Sequence, residues 1–151
     1  MNQSIGILRY LCAEAGLVAR TPNAQYEVDF YFELKDEFDR IKGISDGYWK
    51  EGATEEEIKF TVEQYGVFFK RLDERFSHDL RSHVAGSEIS AADFNLLSFY
   101  TSVITNKGIN TPATGVRLGK VMARFKHLTR VIDNIKNRLK ASVDKLPSSR
   151  I

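Results

Sequence analysis

Hydrophobic side chains recur at intervals of three and four residues along most of the chain, and only three prolines interrupt this spacing. The pattern predicts an all-α protein. A first helix is predicted from Ser4 to about Ala15, where Gly16 is suited to end it. Its apolar stripe consists of Ile5, Leu8, Leu11, Cys12 and Ala15.

A second helix is predicted to begin at Thr21 and Pro22, because threonine caps a helix and proline suits the first helical position. It continues to about Lys42, before Gly43. Its aromatic residues fall on more than one face, which predicts a helix shared between the domain core and an oligomer interface. These residues are Tyr26, Phe30, Tyr31, Phe32 and Phe38.

A third helix is predicted after Thr54, which forms a capping box with Glu57 at the start of the acidic run TEEE. Its core stripe is about seven turns long. The stripe consists of Ile58, Val62, Tyr65, Phe69, Leu72, Phe76 and Leu80.

The stretch SEISAADFNLLSFY places an aspartate, Asp93, inside an otherwise small or apolar run. Ser90 is predicted as the N-cap and Asp93 as the third helical residue, a capping box that satisfies the carboxylate. Ile89 and Phe94 flank this box at the positions of a hydrophobic staple. We therefore interpret Asp93 as a folding device rather than a catalyst, at the start of a central buried helix.

The last third of the chain is predicted as a loop followed by one or more helices from Val116 to Leu146, with a frayed tail from Pro147. The loop is punctuated by Gly108, Pro112 and Gly115.

The composition is that of one globular domain, with 151 residues of which 42% are hydrophobic. No apolar run approaches the roughly 18 residues that span a bilayer, which argues against membrane insertion. The single cysteine, Cys12, and the lack of a secretory signal pattern favour the cytoplasm. Because the first 20 residues are amphipathic and contain Arg9 and Arg20, mitochondria remain the alternative.

The charge is distributed unevenly along the chain. The segment from Arg117 onward carries +8, whereas the first 116 residues carry −6. We interpret this as a basic helix that covers an acidic body or faces an acidic partner. Nucleic acid is disfavoured, because only Phe125 interleaves an aromatic ring with the late basic residues.

No catalytic constellation or metal site is predicted. His78 and His83 are five residues apart, which turns them away from each other on a helix, and His127 stands alone. No glycine-rich phosphate loop or nucleophile elbow occurs.

Four segments resemble glutathione transferases in the order expected for that family. The opening QSIGILRYLCAEAGL contains a Gln-Ser pair followed by an Ile-x-Arg-Tyr-Leu pattern, and TPNAQYEVDFYFELKDEFDRI is similar to the linker and first helix of the family's helical domain. SEISAADF resembles its capping box with staple, and FKHLTRVIDNIKNRLKASVDKLPSSR its closing helices. Within the family, these segments are most similar to the sigma, pi, mu and alpha group.

The resemblance implies that residues 1–20 correspond to the last helix of a thioredoxin-like domain and that residues 21–151 form the helical domain. The rest of the thioredoxin-like domain, with its thiol-activating residue, has no counterpart here. By resemblance, Gln3 and Ser4 would hold the γ-glutamyl carboxylate of glutathione. Glu37, with its neighbour Asp36 as the alternative, would reach into the site of a partner subunit toward the γ-glutamyl amino group. No other cofactor is implied.

The preferred hypothesis is therefore a non-catalytic glutathione-transferase-like helical module that acts as a structural subunit of a larger assembly or of a homodimer. Losing the thioredoxin-like domain would uncover apolar surface on the first two helices, and such surface requires a partner. The alternative is a fragment of an active glutathione transferase that conjugates glutathione to electrophiles.

Overall fold

The computed structural model describes residues 3–105 and 112–143, and these are helical apart from short connections and one isolated bridge between His83 and Gly86. The all-α class is thus confirmed. The helices are α1 (Gln3–Glu14), α2 (Pro22–Asp39), α3 (Asp46–Trp49), α4 (Glu55–Ser77), α5 (Ala91–Phe99) with a π-helical turn at Tyr100–Ile104, α6 (Pro112–Met122) and α7 (Lys126–Val143).

Helix α4 is the centre of the bundle, with α2, α3, α6 and α7 packed around it, and α5 packs against α1, α2 and α7. The core is built on aromatic rings that are excluded from solvent. The rings of Tyr65 and Phe99 lie 4.9 Å apart, with Phe68 and Phe69 beside them. Each such pair contributes about 0.5–1.5 kcal/mol beyond its buried area, so this cluster holds α5 against α4.

The predicted helix starts are confirmed where they depend on local sequence. The side chain of Thr21 accepts a hydrogen bond from the backbone of the first turn of α2, and Thr54 and Glu57 form the reciprocal capping box of α4. Gly16 and Gly43 follow α1 and α2 with φ of 71° and 83°, a left-handed conformation that ends a helix at low cost only in glycine.

Helix α7 has a cap from a distant part of the chain. The carboxylate of Asp73, on α4, accepts hydrogen bonds from the backbone N–H groups of His127 (2.7 Å) and Leu128 (2.9 Å). The negative charge also lies at the positive end of the α7 dipole. This contact fixes the start of α7 against the middle of the bundle.

Several predicted details are wrong. Helix α4 ends at Ser77, so Leu80 lies beyond it and is 90% exposed instead of closing the core stripe. Pro112 begins α6 rather than interrupting a loop, and Gly115 lies inside that helix. The short helix α3 was not predicted. Gly108, Leu146 and the tail from Pro147 lie outside the described residues.

Most aromatic residues of α2 are buried by contacts with other helices of the same chain. Tyr31, Phe32 and Phe38 are buried, because α2 has α4 on one side and α1 and α5 on the other. Phe30 is half-buried, and Tyr26 is exposed. The predicted interface on α2 is therefore reduced to the edge that carries these two rings.

A buried ionic cluster joins α2, α4 and the segment before α5. The carboxylate of Glu27 accepts two hydrogen bonds from Arg75 (2.6 and 3.0 Å) and one from Arg81 (2.9 Å), and Glu27 and Arg81 are nearly excluded from solvent. Arg81 also pairs with Asp79 and donates to the carbonyl of Val84. Burial alone would raise the pKa of Glu27, but the two guanidinium groups outweigh it and hold that pKa below its usual value.

Gly47 is the point where α3, α4 and α6 approach most closely. Its carbonyl accepts a hydrogen bond from the Thr114 hydroxyl, and the Thr61 hydroxyl bonds the nearby carbonyl of Ile44. A Cβ atom at Gly47 would collide with the Thr61 side chain and would lie 2.7 Å from the backbone oxygen of Glu57.

We therefore expect Gly47→Ala to lower the free energy of unfolding by about 1–3 kcal/mol, the usual cost of overpacking. The matched control is Gly66→Ala inside α4, where the new methyl would meet only Val121 at 3.6 Å. This control should be neutral or stabilising by up to about 1 kcal/mol, because alanine is the better helix former. Urea unfolding of both variants measures their free energies of unfolding. Equal values for the two variants would contradict the close packing of α3, α4 and α6 around Gly47.

Candidate functional site

The residues predicted to hold glutathione lie on two helices, Gln3 and Ser4 on α1 and Glu37 on α2. Helix α1 begins at Gln3, whose side chain lies outside the described set, and Ser4 is exposed in its first turn. Glu37 is exposed and bonds Arg71 of α4 through both carboxylate oxygens (3.0 and 3.1 Å). Its carboxylate is therefore directed to α4.

Asp36, the alternative acidic candidate, lies between α1 and α2. It lines a groove of about 290 Å³ between α1 and α2, together with Ile5, Gly6, Arg9, Phe32 and Glu33. Asp36 also pairs with Arg40 one turn later on α2 (2.6 Å). Of the two acidic candidates, Asp36 is the one that lies next to the start of α1.

Arg9 joins the two helices that form this groove. Its guanidinium lies 4.9 Å from the centre of the Phe32 ring and pairs with Asp29, which also accepts a hydrogen bond from Gln25 (3.0 Å). Cation–π and ionic contacts of this kind are each worth up to about 1 kcal/mol at a half-exposed site. They keep α1 at a fixed orientation on α2.

Helix α1 has apolar side chains on two opposite sides. Because each residue turns an α-helix by about 100°, Ile5, Leu8 and Cys12 lie together on the side that packs against the core. Ile7, Tyr10 and Leu11 lie on the other side and are 60%, 64% and 57% exposed. We call these three residues the outer face of α1.

The outer face was only partly visible in the sequence. Leu11 was predicted to belong to the buried stripe, and it is exposed because the stripe that packs inward follows Leu8 and Cys12 instead. Ile7, Tyr10 and Leu11 are themselves spaced by three and four residues, which is the signal of a second apolar stripe.

A second concave region is a polar cleft of about 350 Å³ between the end of α2, α3 and the end of α5. Phe99, Val103 and Ile44 supply its apolar wall. Its polar and aromatic rim consists of Lys35, Asp39, Ser45, Trp49, Asn95, Ser98 and Ser102. The ammonium of Lys35 lies 5.7 Å from the centre of the Phe99 ring and pairs with Asp39. The cleft could take a small polar ligand, but its described lining has no nucleophile paired with a base.

The π-helical turn after α5 shapes this cleft. The hydroxyl groups of Thr101 and Ser102 bond the carbonyls of Leu97 and Ser98 four residues back, at 3.0 and 2.7 Å. Side chains that bond the preceding turn in this way compete with the backbone ladder and bend a helix. A π turn places an additional residue in the helix and is frequent at binding sites.

The carboxylate of Asp93 is fully buried and is occupied by structural hydrogen bonds. It accepts from the backbone N–H and the hydroxyl of Ser90 (2.8 and 2.7 Å) and from the N–H of Val84 (2.8 Å). Burial raises the pKa of Asp93, and these donors oppose that effect without cancelling it. Ser90 and Asp93 form the capping box of α5. Ile89 and Phe94, the predicted staple, are both half-buried, and Phe94 packs against the core.

The remaining groups with catalytic chemistry are dispersed. Cys12 is buried, and burial together with the nearby charge of Asp93 raises the pKa of its thiol, which keeps it unreactive. Among the described residues, no group of three or more His, Cys, Asp or Glu side chains is arranged to hold a metal ion.

None of the described helices is long and apolar enough to cross a membrane. Comparisons with protein-family models, with curated proteins and with solved structures found no match to this chain.

Proposed function

We propose that this chain is a non-catalytic helical interaction module, related to the helical domain of glutathione transferases, that serves as a structural subunit of a homodimer or larger assembly. One observation carries the proposal: α1 has one apolar side packed in the core and a second, the outer face, in solvent. Ile7, Tyr10 and Leu11 occupy little more than one helical turn, and a concentrated apolar surface of this kind is typical of a contact with another protein.

The one partner that can be tested with the purified chain alone is a second copy of the same chain. A single helix face can pair with its own symmetry mate, because a two-fold axis brings the same patch of both subunits together. Tyr10 would be the principal anchor of such a contact, since a tyrosine buries a large area while its hydroxyl stays hydrated.

The experiment compares the native mass of the unmodified chain with that of Ile7→Ser/Leu11→Ser. We expect a dimer for the unmodified chain and a monomer of 17.2 kDa for the double variant, with no loss of thermal stability. Leu80→Ser is the matched control, because Leu80 is 90% exposed outside the outer face, and it should leave the dimer intact.

The alternative function, a fragment of an active glutathione transferase, is favoured by the groove in which Asp36 lies beside the start of α1. In that case the outer face of α1 would be covered by the thioredoxin-like domain. A chain that is monomeric at all concentrations and is retained on immobilised glutathione, with the retention lost in Ser4→Ala, would favour this alternative over the interaction module.

A further inference from the structure

The basic residues of the chain differ sharply in how they are neutralised. In residues 3–105, every lysine and arginine except Lys42 forms an ion pair with a carboxylate of the same region. In the described part of α6 and α7, ion pairs link only Arg117 to Glu55 and Lys136 to Asp133. Among the described residues, one ion pair, that of Arg117 with Glu55, links the acidic body to the basic helices.

Five exposed basic residues of α6, α7 and the corner between them have no carboxylate partner among the described residues. They are Lys120, Arg124, Lys126, Arg138 and Lys140, and we call them the basic face. Arg130 adds a further charge, although its guanidinium is anchored to the carbonyls of Phe76 and Asp79.

On α7, Lys126 and Lys140 lie along one line of the helix, whereas Arg138 lies about 120° around the helix from Lys126. At about 100° per residue, Lys126 and Lys140 fall within about 60° of the helix circumference together with the polar Asp133 and Asn137, opposite the buried Leu128 and Ile135. The charge of Asp133 is compensated by its ion pair with Lys136. The fourteen residue steps from Lys126 to Lys140 span about 21 Å at about 1.5 Å per residue. Over that length a nucleic-acid duplex carries about 12 phosphate charges, at one per about 1.7 Å.

The surroundings of the basic face disfavour other acidic partners. Protein interfaces require an apolar centre and are poor in lysine, whereas Val116 is the one large apolar residue that is strongly exposed in the described part of α6 and α7. Insertion of a helix into a membrane surface requires its apolar side to be exposed, whereas the apolar side of α7 is packed in the core. Binding to single strands requires exposed aromatic rings, and Phe125 is half-buried against Phe69. Backbone binding to a duplex requires only cations and small polar donors.

We propose that the basic face binds the phosphate backbone of double-stranded nucleic acid without reading its base sequence. Residues 3–105 carry 18 acidic against 11 basic side chains, so electrostatic repulsion turns the rest of the molecule away from the duplex. The activity is independent of the outer face of α1.

The test is the binding of a fluorescent duplex of about 20 base pairs, measured by anisotropy over a range of salt concentrations. Contacts of Lys120, Arg124, Lys126 and Lys140 with about four phosphates give a slope of about −3.6 for log K against log salt, so that doubling the salt weakens binding about 12-fold. Lys120→Gln/Arg124→Gln/Lys126→Gln/Lys140→Gln should reduce the slope to near zero, because each lost cation removes about 0.9.

The control is Arg40→Gln/Lys42→Gln/Lys59→Gln/Lys70→Gln, which removes the same number of charges from α4 and from the turn between α2 and α3. This variant should keep the steep slope and the affinity of the unmodified chain. Equal losses in both variants would overturn the proposal, as would no binding at low salt. Tighter binding to vesicles of anionic lipid or to a single strand than to the duplex would also overturn it.

Discussion

Replacing Glu27 by glutamine should lower the free energy of unfolding by about 3 kcal/mol, the lower end of the cost of breaking a buried ion pair from one side. The substitution keeps the shape of the side chain but leaves the guanidinium of Arg81 buried without its partner on α2. The cost stays at the lower end because Asp79 still pairs with Arg81. Chemical denaturation of the two proteins at neutral pH measures the difference.

The matched control is Glu33→Gln on an exposed position of the same helix, which should change the free energy of unfolding by less than about 0.5 kcal/mol. The pH dependence provides a second readout. Because the folded pKa of Glu27 is below its unfolded value, the stabilisation is complete above the unfolded pKa of about 4.3 and is lost as the pH falls through the folded value. The gap between the unmodified chain and Glu27→Gln should therefore narrow as the pH falls below about 4.3 and through the folded pKa, and a gap that stays constant as the pH falls would contradict the ionic account.

Asp93→Ala should destabilise the protein by about 2–4 kcal/mol. Loss of the cap costs about 0.5–2 kcal/mol, and the Val84 N–H left buried without an acceptor adds about 1–3 kcal/mol. The same carboxylate ties the start of α5 to the segment at Val84, so both should loosen together. Thermal unfolding gives the total cost, and hydrogen exchange at the amides of Val84 and Ser90 should accelerate in the same variant.

Ser87→Ala is the control for this loss, since Ser87 is exposed in the same loop and its substitution should be nearly neutral. An Asp93→Ala variant that melts with the unmodified chain would mean that the three hydrogen bonds contribute nothing to stability.

The parts of the fold that were predictable from the sequence are those set by local interactions. Thr21 and Thr54 cap helices whose first turns follow them directly, and Gly16 and Gly43 end helices through their own backbone conformation. Such signals depend on only a few neighbouring residues. They can therefore be recognised in the sequence without knowing how the helices pack against one another.

The unpredicted parts depend on which surfaces meet in three dimensions. Asp73 caps α7 from 54 residues away, and no local pattern announces such a contact. Leu11 was assigned to the core because α1 has two apolar stripes, and only the packing of the other helices decides which one is buried. Helix α3 has four residues, too few to show a helical period.

The same distinction between local sequence and three-dimensional packing applies to the basic face and to the predicted glutathione site. The basic character of the C-terminal helices was evident in the sequence, but only the ion pairs located in the described residues show that Arg117 and Lys136 have carboxylate partners there and that the basic face has none. Likewise, Glu37 was the preferred acidic candidate in the sequence and Asp36 its alternative, and the folded chain turns Glu37 toward Arg71 and places Asp36 in the groove beside α1.

The most direct test of the proposed interaction module is sedimentation of the unmodified chain over a range of concentrations at low and high salt. The account predicts a dimer of twice 17.2 kDa whose dissociation constant changes little with salt, because an apolar contact is not screened. A mass of 17.2 kDa at every concentration, or a dimer that dissociates as salt rises, would contradict a partnership through the outer face of α1.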